Sequence, residues 1–342
     1  MKKYFLLTSA VCCIAVFQFC SKKESAAAIL ATPTLPSTTF DYVVNYPSFI
    51  QNDLILNDNT PINNAITNEG ATLGRVLFYD VNLSKNNTIS CASCHKQSLS
   101  FDDETAFSKG FEGGLTSRNS MAIVNLRFYK SGKMFWDERS ETLEKQVLQP
   151  IKDHVEMGLT TAELETKIAA QSYYPALFQK AFGSTQIDSI KIAKALAQFC
   201  RSIVTYQSKY DIVKQGQTTF TAQEANGEQI FLTAGARTCA SCHTPPMFIT
   251  SSPANGFALQ DANDAGINNQ NRFKSGSLRN VATKTALFHN GSIANLQTML
   301  TANPRIPDHT VAPQDVQPLI TFLNTLTDNS IVTAEKFANP FK

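Results

Sequence analysis

The sequence lacks the excess of positive charge that proteins use to bind nucleic acids. Its 30 basic and 28 acidic side chains leave a formal net charge of +2, too little for a surface that contacts many phosphates. After residue 20 there is no apolar stretch long enough to span a bilayer. Few segments alternate apolar and polar residues with a period of two. These absences exclude a nucleic-acid-binding protein and favour a mainly α fold.

The N-terminus has the pattern of a secretory signal. Two lysines precede an apolar run over residues 4–19, and hydrophilic sequence follows Cys20 at once, which predicts a signal peptide over residues 1–20 and a periplasmic protein. Cys20 is a candidate lipidation site, although Phe19 is bulky where signal peptidases prefer a small residue, so lipid anchoring to the membrane stays open. The Ala-, Thr-, Pro- and Ser-rich residues 21–45 predict a flexible tether.

Helix start signals recur along the rest of the chain. Thr160–Glu163 and Thr221–Glu224 fit the capping box, and Asp188 is a candidate N-cap for a helix that extends towards Tyr206. A last helix is predicted from about Pro313. Because loops rich in Asn, Gly, Ser and Pro separate these segments, we expect a mainly α fold with long loops.

The pentapeptide Cys-Ala-Ser-Cys-His occurs twice, at residues 91–95 and 239–243. Two thiols three positions apart can bond the vinyl groups of one porphyrin, and the adjacent histidine can then bind the iron. A zinc site would leave both histidines unexplained, and a dithiol redox pair would need a βαβ context that is missing. The motifs therefore predict two covalent c-type haems, held by Cys91, Cys94, His95, Cys239, Cys242 and His243.

The two pentapeptides belong to an internal repeat. Each follows a Gly-x-x-x-Phe segment in a helical pattern and precedes a phenylalanine and an Arg-Asn pair: Gly74–Phe78 with Gly227–Phe231, Phe101 with Phe248, and Arg118-Asn119 with Arg279-Asn280. We therefore expect two tandem cytochrome c-like domains with one haem each, over residues 46–206 and 207–342, and a C-terminal tail that packs back on the first domain. Cys200 lies on an apolar helix face and is interpreted as a buried small side chain.

From about Gly70 to Phe341 the sequence resembles the bacterial di-haem cytochrome c peroxidase family, which includes the methylamine-utilisation di-haem enzymes. The motifs that carry the resemblance occur in order: Leu77-Phe78-Tyr79-Asp80, Arg118-Asn119, Phe135-Trp136-Asp137-Glu138-Arg139, Leu143 to Gln146, Pro150-Ile151, Glu156-Met157-Gly158, Leu278-Arg279-Asn280, Phe288-His289-Asn290-Gly291 and Phe337-Ala338-Asn339-Pro340-Phe341.

The resemblance implies a haem-dependent oxidoreductase, a cytochrome c peroxidase that reduces hydrogen peroxide to water. It implies that peroxide reacts at the N-terminal haem, while the C-terminal haem, at higher potential, receives electrons from a small donor protein, a cytochrome c or a cupredoxin. By position, Trp136 would lie between the haems, with Gln146 and Glu156 on the distal side of the first. A carboxylate there can move a proton between the two peroxide oxygens. The resemblance leaves a homodimer open.

Two rival functions remain open from the sequence. An enzyme of the same architecture could use high-valent haem to oxidise a protein or an organic substrate. A protein without catalytic activity could instead serve as an electron-transfer cytochrome. The carboxylate and amide expected beside the first haem favour catalysis.

The sequence departs from the family pattern beside both haems. Phe111 takes the place of a histidine that binds the first iron in many members, and residues 96–135 contain no histidine, so we expect a first haem that is open on its distal side without prior reduction. The distal-ligand position of the second haem falls on Asn303. Met299, one turn earlier, is our candidate ligand, and His309 is an alternative.

A calcium ion between the domains is the remaining implication of the resemblance. Asn119 matches the side-chain ligand, and backbone carbonyls near Lys284 and Ala286 would complete the site. The residues around Lys284 differ from the usual family pattern, so calcium is a candidate cofactor beside the two haems.

Overall fold

Helices provide most of the regular secondary structure in this computed structural model, which describes residues 32–233, 238–250, 257–258, 264–301 and 309–341. The expected signal peptide, Cys20, the first part of the tether and Asn303 lie outside the described residues. None of the helices within the described ranges combines the length and apolar character needed to cross a bilayer. The mainly α fold class predicted from the sequence is confirmed.

The α-helices are α1 Ser48–Asn57, α2 Asn68–Tyr79, α3 Cys91–Cys94, α4 Leu143–Gln146, α5 Leu148–Lys152, α6 Thr161–Ala169, α7 Tyr174–Phe182, α8 Ser189–Ser202, α9 Lys209–Lys214, α10 Ala222–Thr233, α11 Cys239–Cys242, α12 Leu296–Leu300, α13 Pro313–Asn324 and α14 Ser330–Thr333. The strands β1 Phe257–Ala258 and β2 Arg272–Phe273 pair antiparallel, with Phe257 opposite Phe273. Short 3-10 turns link several of these elements.

The helix starts follow the cap signals. Thr160 and Glu163 form the predicted capping box of α6, Thr221 and Glu224 bond reciprocally before α10, and the Asp188 side chain accepts the N–H of Lys191 at the start of α8. Each bond satisfies an N–H that the first helical turn would otherwise leave without a partner. The predicted start of α13 at Pro313 is confirmed as well.

Two helix pairs cross at glycines in corresponding positions of the repeat. α2 packs on α8 and α10 packs on α13. A Cβ added to Gly74 would lie 2.0 Å from the Ala195 carbonyl oxygen, and one added to Gly227 would lie 2.1 Å from that of Pro318. Only glycine allows the backbones to approach this closely, which explains the first residue of both Gly-x-x-x-Phe segments.

The repeat continues beyond the haem motifs, but through Asn125 rather than Asn119. Asn125 and Asn280 are both left-handed, at φ 61° and 60°, and each precedes a 3-10 turn. The Asn125 side-chain oxygen accepts the N–H of Thr205 after α8, and that of Asn280 accepts the N–H of Asp328 after α13. These bonds fix the chain just beyond each helix, and α8 ends at Ser202, earlier than its apolar pattern suggested.

The C-terminal residues 329–341 pack against the core around α2 and α8. Ile331 and Phe337 belong to that core, and the Tyr79 hydroxyl donates to the Phe337 carbonyl at 2.6 Å. Within residues 32–45, Tyr42 is buried in the same core and its hydroxyl donates to the Lys336 carbonyl at 2.7 Å. Packing therefore begins N-terminal to residue 46.

Candidate active site

Each Cys-Ala-Ser-Cys-His segment folds as one helical turn followed by its histidine. In the first segment the His95 N–H donates to the Cys91 carbonyl at 3.0 Å, and in the second the His243 N–H donates to that of Cys239 at 2.9 Å. Ser90 and Ser93 cap the first turn reciprocally. Because residues three apart on a helix lie on one side, both thiols of each segment face the same direction.

The first motif lines a cavity of about 890 Å³. Its wall combines the two thiols and the histidine of the motif with apolar side chains, and it also contains Gln146, Glu156 and Trp136. The structure thus brings together all the residues that the sequence analysis assigns to the first haem. The volume lies within the range of about 300–1,000 Å³ that is usual for cofactor pockets.

The donor set of this cavity fits a covalent haem. Cys91 and Cys94 are free of disulfide bonds. The Nδ1 atom of His95 is buried, which leaves the other edge of the imidazole for the cavity. Burial lowers the pKa of His95, and the Asp102 carboxylate opposes this shift, so the ring is predominantly neutral near pH 7 and can donate a lone pair to iron.

Glu156 is an acidic side chain of this cavity with a pKa near neutral. Burial, reinforced by the charge of Asp153, raises the pKa of Glu156 to about 7, and Arg139 acts in the opposite direction. The Asp153 carboxylate accepts the N–H of Glu156 at 3.1 Å and so fixes the turn that carries it. Glu156, Phe135 and Arg139 also line a second, open cavity of about 290 Å³, which makes this side the solvent approach to Glu156.

Phe111 does not line the first cavity. Its ring packs against Gly158, and its N–H donates to the Glu156 carbonyl at 3.0 Å. His154, which is largely exposed, does line the cavity. The structure therefore places His154, and not Phe111, where its side chain can reach the cavity.

Trp136 lies between the two halves of the molecule. It lines the first cavity and packs against the second core, against which Cys239 and Ala240 pack as well. Its indole N–H donates to the Asn119 carbonyl at 2.7 Å, and its ring meets that of His289 edge to face, with 6.5 Å between centroids. This position is consistent with the family-based expectation for the residue between the haems.

His289 is the repeat counterpart of Trp136. Each follows a left-handed phenylalanine, Phe135 or Phe288, both at φ 70°, and each lies inside an isolated antiparallel bridge. His289 also stacks on Phe273, at 3.6 Å between centroids. Alignment of the two Phe-x-Asx tripeptides could have shown this pairing, but a tryptophan and a histidine share no residue-type signal.

The second motif is described less completely, because residues 234–237, 251–256 and 302–308 lie outside the described ranges. Burial lowers the pKa of His243 to about 4. Burial also lowers the pKa of His309 to about 3, with a further contribution from repulsion by His243, so these two histidines lie close together. Met299 is buried in the core to which α10, α12 and α13 contribute. The structure thus brings His309 close to His243 and places Met299 among apolar side chains.

Asn119 is buried at the junction of the two halves. Its side-chain amide donates to the carbonyls of Thr105 and Ala106, at 3.0 and 3.2 Å, and its backbone N–H donates to the His289 carbonyl at 2.7 Å. Within the described residues there is no cluster of three or more His, Cys, Asp or Glu side chains suited to a metal ion. Calcium at Asn119 stays a prediction.

Arg118 joins the two halves through an ion-pair network that the sequence did not indicate. Its guanidinium donates to both Asp264 oxygens, at 2.6 and 2.7 Å, and lies 2.7 Å from Asp137. The pKa values of both carboxyls are lowered, because these contacts outweigh burial. Asp264 is 146 residues from Arg118, and no local pattern links them.

Comparisons with known proteins agree with this geometry. A family model described as di-haem cytochrome c peroxidase matches residues 68–219. The cytochrome c551 peroxidase of Nitrosomonas europaea is 31% identical over 282 residues, which cover 77% of this chain and 82% of that protein. The methylamine utilization protein MauG of Methylophilus methylotrophus is 29% identical, over 70% of this chain and 73% of that protein.

A solved structure has the same architecture over most of the chain. The crystal structure of a MauG-like protein associated with microbial copper homeostasis superposes with a TM-score of 0.74 at 26% identity, covering 89% of this chain and all of that one. Family membership implies haem c, which the donor set around Cys91, Cys94 and His95 fits. The chain belongs to the di-haem cytochrome c peroxidase family, a family of haem-dependent oxidoreductases.

Proposed function

We propose that this protein is a periplasmic di-haem peroxidase that reduces hydrogen peroxide to water, with electrons that a small redox protein delivers to the C-terminal haem. One observation carries the proposal: the cavity beside Cys91, Cys94 and His95 also contains Gln146 and Glu156. An amide and a carboxylate in the same cavity as a ligand-binding histidine are what proton transfer to peroxide needs. An electron-transfer cytochrome would need neither group.

Glu156 and Gln146 have different roles in peroxide cleavage. When bound, the haem at His95 supplies the iron on which the O–O bond is split. Glu156, as a carboxylate, accepts the proton of one peroxide oxygen and delivers it to the other, which leaves as water. Gln146 donates a hydrogen bond that orients peroxide without adding charge. Two electrons and two protons complete the conversion of one peroxide to two waters. Trp136, which lines the first cavity and packs against the second core, is the residue we assign to electron transfer between the halves.

Steady-state turnover with hydrogen peroxide and a reduced cytochrome c tests the proposal. We expect donor-dependent peroxide consumption, and a loss of about 10²–10⁴-fold in kcat/KM in Glu156→Gln. Glu112→Gln, at an exposed carboxylate, is the matched control and should keep wild-type turnover. Unchanged turnover in Glu156→Gln would contradict the assigned role. Peroxide consumption that requires an organic or protein substrate instead of reduced cytochrome c would favour the oxidase related to MauG.

The proposal includes a first haem that is open in the diferric protein. Phe111 packs away from the cavity and has no ligand atom, so peroxide should react without prior reduction. We expect the resting electron paramagnetic resonance spectrum to contain one high-spin ferric haem. Two low-spin haems in both the wild type and His154→Ala would contradict an open site. Low-spin signals that become high-spin only in His154→Ala would identify His154 as the ligand.

A further inference from the structure

The two proximal histidines have matching backbone surroundings. Each histidine ends a one-turn helix and donates its N–H to the carbonyl of the first cysteine, at 3.0 Å for His95 and 2.9 Å for His243, and a phenylalanine follows each motif. Phe101 and Phe248 are both buried and left-handed, at φ 60° and 53°. Because the repeat gives both histidines the same backbone environment, a difference between them has to arise from side chains.

The residue after each phenylalanine provides such a difference. Asp102 follows Phe101, whereas Ile249 follows Phe248, and both are buried. The Asp102 carbonyl accepts the N–H of Lys96, the residue next to His95, at 3.0 Å, so the backbone holds Asp102 beside the motif.

The charge of Asp102 is balanced from the other half of the molecule. Lys284 Nζ lies 2.6 Å from Asp102 Oδ2, and the two side chains are 13% and 3% exposed. The neighbouring carboxylate of Asp103 is held differently, by Ser108 Oγ at 2.5 Å and Lys96 Nζ at 3.1 Å. Lys284 therefore belongs to a buried ion pair that links the second repeat to the surroundings of His95.

We propose that Asp102 is a positioning residue that makes the iron site at His95 more electron-rich than the site at His243, and that Lys284 limits this effect. The inference rests on the proposed function, since both histidines must bind haem. A carboxylate near a ligating imidazole increases its electron donation, and negative charge stabilises ferric over ferrous iron. Asp102 thus lowers the reduction potential of the first haem, and the charge of Lys284 offsets part of this effect.

Spectroelectrochemical titration of the haem-loaded protein tests this with variants that shift the potential in opposite directions. Asp102→Asn should raise the potential of the first haem, because the amide has no charge and Lys284 is left unbalanced. Lys284→Met should lower it. The double variant Asp102→Asn/Lys284→Met should lie above wild type and below Asp102→Asn, because Asp102 is the closer influence on His95. The second-haem potential should stay constant throughout.

Controls separate this role from a structural one. Lys284→Arg keeps the ion pair and should keep the wild-type potential, as should Glu141→Gln at an exposed ion pair. The iron–histidine stretching frequency in resonance Raman spectra should fall in Asp102→Asn at the first haem only. If Lys284→Met fails to fold, Asp102→Asn and the Raman shift still decide the question.

The outcomes distinguish the inference from the proposed function. A first-haem potential that is unchanged, or that shifts in the same direction in Asp102→Asn and Lys284→Met, would overturn the inference even if peroxide turnover is normal. Shifts of the expected signs in a protein without peroxidase turnover would support the inference and overturn the proposed function.

Discussion

At the residue scale, Glu156 makes the pH dependence of catalysis predictable. Its pKa is raised to about 7 by burial and by Asp153, so the side chain is protonated below that pH and a carboxylate above it. Only the carboxylate can accept the peroxide proton. We expect kcat/KM to rise with pH through about 7, and Glu156→Gln to be low and flat over the same range. A flat wild-type profile from about pH 5 to 9 would exclude Glu156 as the base.

His309 and Met299 differ in how they can reach the second haem. His309 is half-buried, and its ring meets that of Phe288 at 5.5 Å between centroids and interacts electrostatically with His243, whereas Met299 is part of the apolar core. We expect His309→Leu to change the low-spin signal and the visible spectrum of the second haem. Met299→Leu, which keeps the side chain apolar and similar in volume, should leave both unchanged. The reverse result would assign the ligand to Met299.

At the element scale, each of the two helix crossings depends on a glycine, which has no side chain. A methyl group at Gly74 would overlap the Ala195 carbonyl, so we expect Gly74→Ala to lower the free energy of unfolding by about 1–3 kcal/mol, although alanine favours helix. Gly227→Ala should have a similar effect through Pro318. Urea denaturation measures both. Asn226→Ala, at an exposed position of α10, is the control and should be neutral or slightly stabilising.

The same elements show which parts of the fold are predictable from sequence. Caps such as Thr160 with Glu163 join residues three apart, so the sequence reveals them directly. The Cys-x-x-Cys-His turns are local in the same way. The bond between Asn125 and Thr205 spans 80 residues, and the ion pair between Asp102 and Lys284 joins the two repeats. Such contacts depend on how helices pack, which a local pattern does not specify.

The candidate site shows the same limit. Family motifs placed Gln146, Glu156 and Trp136 in one cavity, because the motifs retain the order and spacing of the fold. The position of Phe111 relative to that cavity depends on its packing against Gly158. His309 is supported as a candidate ligand of the second haem by its interaction with His243, which the sequence does not indicate. At positions where the sequence departs from the family pattern, the location of the side chain has to come from the structure.

At the scale of the whole molecule, the chain ends complete the first core. The Phe337 ring lies 6.1–6.3 Å, between centroids, from those of Tyr42, Phe101 and Phe199. Arg75 donates to the Glu335 carbonyl at 2.9 Å. The core around the first haem motif is therefore built from both ends of the described chain, and the first haem domain depends on residues beyond the second.

Truncation of Phe337 tests this dependence. Phe337 is 3% exposed, and removal of a buried phenylalanine ring leaves a cavity and loses apolar burial, so we expect Phe337→Ala to lower the free energy of unfolding by about 3–5 kcal/mol. Urea denaturation of the haem-loaded protein gives the value. Thr333→Ala, at an exposed position of α14, should change it by less than about 0.5 kcal/mol. Equal stability of Phe337→Ala and Thr333→Ala would mean that the C-terminal segment does not support the first core.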